Sequence, residues 1–310
     1  MYCSQAPGKV ILFGEHFVVK GFPGIGVAVN MYAKACSEAY EKNHVYSRQL
    51  GVLYDEEKNI GRENSFDKIF EILRGLGCLK RFKVFIDSEI YIASGMGSSA
   101  AVSVAVAHSL LRACGHETDK DLVSKIAFEA EKIIHKKPSG IDNTLATYGG
   151  FIYYKAGVFK RIDVSWPEDY ELLITNTGIE RNTGVIVREV LELYERRKNI
   201  IEHVYYAAER LVEEAVMLLK NGDIETLGEL MNINQGLLYS INTSCQRCEE
   251  IIWLLRRFGA LGAKISGAGR GGIVIALFRK KDLEKNISEI NRYINNIFIA
   301  KPDLYGVRSL

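Results

Sequence analysis

The stretch Gly95-Met96-Gly97-Ser98-Ser99 runs without a break into an apolar helical segment, and this junction limits the fold more than any other part of the chain. Two glycines one residue apart let backbone come close to an anion. The first N–H groups of a helix have no intrahelical partners, and the helix dipole favours negative charge beside them. Ser98 and Ser99 add hydroxyls that can bond a phosphate or ligate magnesium. The full stretch from Tyr91 to Ala101 therefore fits a phosphate cradle at the edge of a helix. It does not follow the G-x-x-x-x-G-K-[ST] order of a Walker A loop. Taken alone, an ordinary turn with a helix cap would use the same residues.

The 310 residues are enough for two domains and a sizeable core. Hydrophobic residues are 47% and charged residues 25%, an ordinary globular balance. A net charge of +2 argues against a strongly electrostatic nucleic-acid binder. No signal-like segment precedes the motif that begins at Ala6, and no apolar run reaches the roughly 18 residues of a membrane span. A cytoplasmic protein is expected, without a membrane or nucleic-acid partner. The six cysteines are scattered (Cys3, Cys36, Cys78, Cys114, Cys245, Cys248), and only Cys245-Gln246-Arg247-Cys248 has metal or redox spacing. Zinc would need a second ligand pair, which is not evident, so this pair reads as structural or incidental. A hyperthermophilic source would make a disulfide feasible.

Along the chain, Val10–Phe13 reads as a buried strand, Gly24–Val29 as its partner, and residues 32–54 as further strands with polar turns. Ser65 to Leu76 has helical spacing with Ser65 as its cap. Residues 82–92 alternate as a strand. Ser98 to Cys114 is an Ala- and Val-rich helix stopped by Gly115. A second helix runs from Thr118 or Asp119 to His135, and Pro138 prevents its continuation. Residues 149–154 return as a strand, and Ser165-Trp166-Pro167-Glu168 reads as a boundary. The second half starts with a strand at 172–175, followed by helices at 185–194, 200–220, 224–238 and 248–258. A core strand at 271–278 and a last helix at 283–297 close it. This order gives mixed α+β in both halves, with domains at 1–165 and 166–310.

Three further segments carry candidate chemistry. In Ala6-Pro7-Gly8-Lys9-Val10-Ile11-Leu12-Phe13-Gly14-Glu15-His16, Lys9 is held at its base and can present a compact positive charge. A snorkelling surface lysine is the plainer reading. Glu15 and His16 are substrate contacts or a satisfied polar pair. In the segment from Glu129 to Asn143, Glu131 lies at the edge of an apolar stripe, able to point into a cleft and bind magnesium or to stay solvated on the helix flank. Asp142 follows the Ser139-Gly140 turn, placed to meet a substrate hydroxyl or to close an Asx turn. In Lys264-Ile265-Ser266-Gly267-Ala268-Gly269-Arg270-Gly271-Gly272, four glycines in six residues exceed what a turn requires.

Taken in order, these segments resemble the GHMP small-molecule kinases, and within them the mevalonate kinase branch. The first motif, the run from Glu131 through Pro138-Ser139-Gly140-Ile141-Asp142-Asn143, and Thr175-Asn176-Thr177-Gly178-Ile179-Glu180-Arg181-Asn182-Thr183 carry the likeness, which spans nearly the whole chain. It implies an α+β two-domain GHMP kinase fold. The N-terminal domain would be similar to ribosomal protein S5 domain 2, the C-terminal domain would be an α/β sandwich, and the substrates would lie between them. It implies Asp142 as catalytic residue with Lys9 beside it. Gly95, Gly97, Ser98, Ser99 and Ala100 would hold ATP, and Ser99 and Glu131 would hold Mg2+. Glu15, His16 and Thr183 would lie at the substrate. The chain departs from the family pattern at Tyr91, where Pro is common, at Val102, which is Tyr in animal members, and at Arg270, where glycine is usual. Arg270 would reach a phosphate or face water.

The activity so implied is transfer of the ATP γ-phosphoryl group to the primary hydroxyl of mevalonate, in isoprenoid biosynthesis, by a chain that can form a homodimer like other members. Neighbouring activities are a phosphomevalonate kinase and a kinase for mevalonate's tertiary hydroxyl. A decarboxylase of the same fold is disfavoured by Glu131 and the 135–143 segment. A non-catalytic sensor is disfavoured by the presence of Lys9, Glu131 and Asp142 together.

Overall fold

The computed structural model describes residues 1–58, 64–91, 94–134, 139–164 and 166–310. The strands are β1 (Tyr2–Phe13), β2 (Gly24–Ala39), β3 (His44–Ser47), β4 (Gly51–Asp55), β5 (Phe82–Ser88), β6 (Phe151–Lys155), β7 (Val158–Ile162), β8 (Tyr170–Asn176), β9 (Gly262–Ser266), β10 (Ile273–Arg279), β11 (Ile297–Ala300) and β12 (Arg308–Ser309). Eight of them form one sheet in the order β12-β1-β2-β5-β3-β4, with β6 on β2 and β7 on β6. The other four form a second sheet, β11-β8-β10-β9, whose pairs are all antiparallel.

The helices are α1 (Ser65–Gly75), α2 (Ser98–Cys114), α3 (Lys120–Ile134), α4 (Ile141–Tyr148), α5 (Thr183–Arg196), α6 (Lys198–Asn221), α7 (Ile224–Ser240), α8 (Gln246–Arg257) and α9 (Lys280–Tyr293). α2 and α4 pack on the first sheet, α1 and α3 pack against α2 and each other, and α7 and α8 pack on β9. α2 is buried almost all round, as a helix rich in Ala and Val on every face must be. Its small side chains let it lie against β1, β2 and α3 at once. α1 buries Phe66, Ile69, Phe70 and Leu73 on one face; each is worth about 1.5–3 kcal/mol of transfer free energy.

The two halves are riveted at their seam. The Ser266 hydroxyl accepts from Ile11 N at 2.8 Å and donates to Ile11 O at 3.0 Å, tying β9 to β1 near the end of that strand. The chain's end returns to the first sheet through β12, and Asp303 there accepts from the Tyr32 hydroxyl, Arg308 and the backbone N–H groups of Tyr305 and Gly306. Among the described residues no helix is long and apolar enough to cross a membrane.

Several elements differ from the sequence expectation. The cap of α1 is Asn64, whose side chain accepts from Phe66 N at 2.9 Å, one residue before the expected Ser65. α3 is described to Ile134; the expected end at His135 and the stop at Pro138 lie outside the described residues, as do Ile92 and Ala93 of the glycine stretch and Ser165 of the boundary. α9 ends at Tyr293, short of the expected 297, because Asn296 turns the chain with φ 58° and Ile297–Ala300 pairs with β8. α4, β7, β11 and β12 are unanticipated. Two disulfides also form. Cys3–Cys36 joins directly opposed residues of β1 and β2, and Cys78–Cys114 ties the turn after α1 to the end of α2. Loops of 33 and 36 residues correspond to about 3–4 kcal/mol each in the chain-entropy account.

His108 is buried on α2, where its Nδ1 lies 2.7 Å from the Ser4 hydroxyl, and burial pushes its pKa down to about 4. The unfolded chain binds this proton near pH 6.5 and the folded chain does not. Stability is therefore full above about pH 6.5 and is lost as pH falls toward 4, by about 3 kcal/mol for this group. Urea midpoints measured from pH 7 to 4.5 are expected to fall more steeply for the wild type than for His108→Asn. Parallel profiles would show that the burial of His108 has no such cost.

Candidate active site

Lys9 lies in β1 just after a register shift at Pro7/Gly8, where the strand turns toward the glycine loop. Its backbone N–H donates to Met96 O at 2.9 Å, and its buried Nζ donates to Gly95 O at 2.9 Å. The same Nζ lies 3.1 Å from Asp142 Oδ1. Asp142 sits in the first turn of α4, whose cap residue is Gly140 with φ 81°. The sequence reading of a turn followed by a carboxylate is thus extended by an unanticipated helix. Asn143 and Ser124 tie α4 to α3 through a 3.0 Å side-chain bond.

Gly95 and Gly97 adopt φ 85° and 70°, which disfavour a side chain. A Cβ at Gly97 would also press on Lys9 at 3.2 Å. Gly97 caps α2, and the backbone N–H groups of Ser98, Ser99 and Ala100 open the helix beside Lys9 and Asp142. The Ser99 hydroxyl donates to Glu131 Oε2 at 3.3 Å, so the end of α3 brings its carboxylate to the start of α2. This pair offers two hard oxygen donors of the kind magnesium takes alongside phosphates and water. Val102, one turn into α2, packs against the core, and the Tyr91 hydroxyl donates to Asn296 O at 3.1 Å.

Beside this constellation lies a cavity of about 220 Å³ whose lining includes Lys9, Asp142, Ser139, His16, Thr183 and Ala268, with Ile11, Phe13, Val187 and Tyr154 as apolar wall. His16 precedes a short 3₁₀ turn whose Phe17 is buried against Tyr205 of α6, ring centroids 4.8 Å apart. His16 Nε2 lies 2.8 Å from Ala268 O. A carbonyl can only accept, so Nε2 carries the proton and Nδ1 is the acceptor. That Nδ1 is buried without a hydrogen-bond partner among the described residues. Burial lowers the His16 pKa, which favours the neutral ring. Thr183 is the exposed first residue of α5, after the Asn182 cap.

Glu15 also borders the cavity, but its carboxylate is occupied. Oε1 pairs with Lys264 and Oε2 accepts from Asn234 at 3.1 Å. Both carboxylate oxygens are thus satisfied within the chain, by Lys264 and Asn234 rather than by His16. Arg270 is tied to its neighbours rather than simply facing water. It adopts φ 51°, pairs with Glu189 and donates from Nε to Asn242 O at 2.9 Å, so it braces the third glycine run from behind.

Sequence reasoning gave no role to Arg181. Its guanidinium donates to Ser94 O at 2.8 Å and to Gly271 O at 3.0 Å, clamping the first glycine loop to the third. A Cβ at Gly95 would lie 2.1 Å from its Nη2, and one at Gly272 would lie 2.4 Å from the guanidinium. No carboxylate pairs with it among the described residues, and burial lowers its pKa. It stands inside the Thr175–Thr183 segment, but its partners are about 90 residues away in both directions, so no local pattern shows them.

Residues 64–150 match the family described as GHMP kinases N terminal domain, and residues 215–296 match GHMP kinases C terminal. The mevalonate kinase of Aeropyrum pernix is 34% identical, over 98% of this chain and 97% of its own. The chain belongs to the GHMP kinase family. Two solved structures share the whole architecture of this GHMP kinase. Leishmania major mevalonate kinase, in complex with R-mevalonate, aligns with TM-score 0.82 and 31% identity, covering 96% of this chain and 95% of its own. Methanococcus jannaschii mevalonate kinase aligns with TM-score 0.85 and 26% identity, covering 97% and 98%. This GHMP kinase is therefore a small-molecule kinase with the two-domain fold of its family, and ATP is its phosphoryl donor.

Proposed function

We propose that this GHMP kinase transfers the γ-phosphoryl group of ATP to the primary hydroxyl of mevalonate, giving 5-phosphomevalonate for isoprenoid biosynthesis. The observation that carries the reading is the Lys9–Asp142 contact of 3.1 Å, which stands where the α2 N-terminus meets the 220 Å³ cavity. Phosphoryl transfer asks a protein mainly for positioning and charge stabilisation. The N–H groups of Ser98, Ser99 and Ala100 bind the phosphates. Asp142 orients the attacking hydroxyl and takes its proton, and Lys9 holds the Asp142 carboxylate in place. His16 Nδ1 accepts from a substrate hydroxyl, while Ser139 and Thr183 supply polar groups at the mouth.

Ser99 and Glu131 would hold Mg2+, which supplies charge neutralisation across the phosphates when bound. Replacing Glu131 by Gln is expected to raise the Mg2+ concentration for half-maximal activity by at least ~10-fold, read from rates against free Mg2+ at fixed ATP. An unchanged requirement would remove Glu131 from the metal site.

Lys9 is the one Lys or Arg lining the cavity among the described residues, against an otherwise largely apolar wall. A phosphorylated acceptor would call for more positive charge at the cavity, and the substrate panel below separates it from mevalonate. The reading includes a division at 1–165 and 166–310, a cytoplasmic location, the compartment that holds ATP, and a homodimer by analogy with the family. Coupled ADP release across mevalonate, its monophosphates, homoserine and galactose tests it. ADP is expected with mevalonate; release with a monophosphate and not with mevalonate would overturn it.

A further inference from the structure

Cys245 and Cys248 stand apart from the other four cysteines, which are bridged. Cys245 is the cap residue of α8 and Cys248 lies in its first turn, with the two sulfurs 3.0 Å apart. Cys245 is partly exposed and Cys248 is buried. A cavity of about 610 Å³, lined among others by Tyr239, Asn242, Ser244 and Gln246, opens on Cys245. No group of three or more metal-ligating side chains gathers here or elsewhere among the described residues.

The dithiol also touches the third glycine run. The Gly271 N–H faces the Cys248 sulfur, and Arg270 N donates to Thr243 O at 2.8 Å, two residues before Cys245. A Cβ at Gly269 would lie 1.9 Å from Thr243 O, so the two backbones pack without space between them. Gly271 in turn gives its carbonyl to Arg181, which holds Ser94 O of the phosphate-binding loop. An unbroken set of contacts thus links the sulfurs to the nucleotide cradle.

We propose that Cys245 and Cys248 form a reversible dithiol–disulfide site, oxidised by a small-molecule disulfide, whose oxidation loosens the third glycine run and weakens ATP binding. The Cys245 thiolate attacks the small disulfide, forming a mixed disulfide and releasing one thiolate. The Cys248 thiolate then attacks Cys245 Sγ, closing the Cys245–Cys248 bond and releasing the second. Two protons leave the protein thiols, and the small disulfide gains the two electrons. The sulfurs must move from 3.0 Å to the bonded distance of about 2.05 Å, which shifts Cys248 relative to the neighbouring Gly271 backbone. Burial pushes the Cys248 thiol up to about 12, which makes Cys245 the group that reacts first.

The test incubates the purified full chain in glutathione buffers of increasing oxidised fraction. Free thiols are trapped by alkylation under denaturing conditions and mapped by mass spectrometry, and Mg-ATP binding is read by calorimetry without acceptor alcohol. Expected are a 245–248 disulfide that forms and is reversed by reductant, a rise in the ATP dissociation constant of about 2- to 30-fold, and loss of that response in Cys245→Ser. Two thiols that stay alkylatable at every ratio would overturn the site. A bond that forms with unchanged ATP binding would overturn its link to the glycine run. Neither readout depends on mevalonate, so failure of the acceptor assignment remains separate.

Discussion

Asp142→Asn is expected to lower kcat by about 10²–10⁴-fold, the usual contribution of a positioned general base, with the KM for ATP nearly unchanged. The substitution keeps shape and removes the ability to take a proton. Asp142 contacts Lys9 and lines the cavity, whereas the N–H groups proposed to bind the phosphates belong to α2. Asn keeps an amide oxygen for the buried Lys9 Nζ, which also donates to Gly95 O, so the variant should fold. Steady-state kinetics with mevalonate varied and ATP varied separate the two effects. Wild-type kcat in this variant would remove Asp142 from the chemistry; a large rise in the ATP KM with normal kcat would make it a nucleotide contact instead.

What could be read in the sequence follows the range of the interactions. Strand β1, helix α2 and the glycine loop that leads into α2 are local patterns, and the family resemblance brought Lys9, Glu131 and Asp142 to one place, where the structure joins Lys9 to Asp142 and Glu131 to Ser99. α4 escaped because Asp142, Asn143 and Thr144 are poor helix formers in an eight-residue element. β11 and β12 take their form from partners in β8 and β1, not from their own composition. The Cys3–Cys36 pairing depends on the β1–β2 register, which residue spacing alone does not reveal. Arg181, Arg270 and Lys264 were legible as charges but not as contacts, because the partners that join them to other elements lie from 28 to 249 residues away. Glycines 95 and 272 hint at Arg181 only after folding, when the space a Cβ would need is found to be filled by its guanidinium.

The buried pair between Lys264 and Glu15 sets the second large expectation. Both side chains are fully buried, one on β9 and the other just past the end of β1 beside His16. Burial pushes the Lys264 pKa down while Glu15 pulls it back up. Lys264 Nζ also donates to Ile265 O at 2.6 Å, and Asn234 Nδ2 supplies the second bond to the carboxylate. Lys264→Met would leave Glu15 buried with the amide alone, at a cost of about 3–5 kcal/mol. Lys264→Met with Glu15→Leu removes both charges, and replacing a buried pair by apolar groups is often near neutral. Urea unfolding of both variants, with Glu15→Leu completing the cycle, should therefore show the double variant more stable than Lys264→Met. A single-variant cost below about 1 kcal/mol would mean that Glu15 is not held as a carboxylate there. Because Glu15 is joined to His16, whose Nε2 is fixed by Ala268 three residues after Ile265, losing the pair also unsettles the substrate side of the cavity. The double variant should regain stability without regaining the full mevalonate KM, since an apolar side chain in place of the Glu15 carboxylate has no group with which to hold the turn that presents His16.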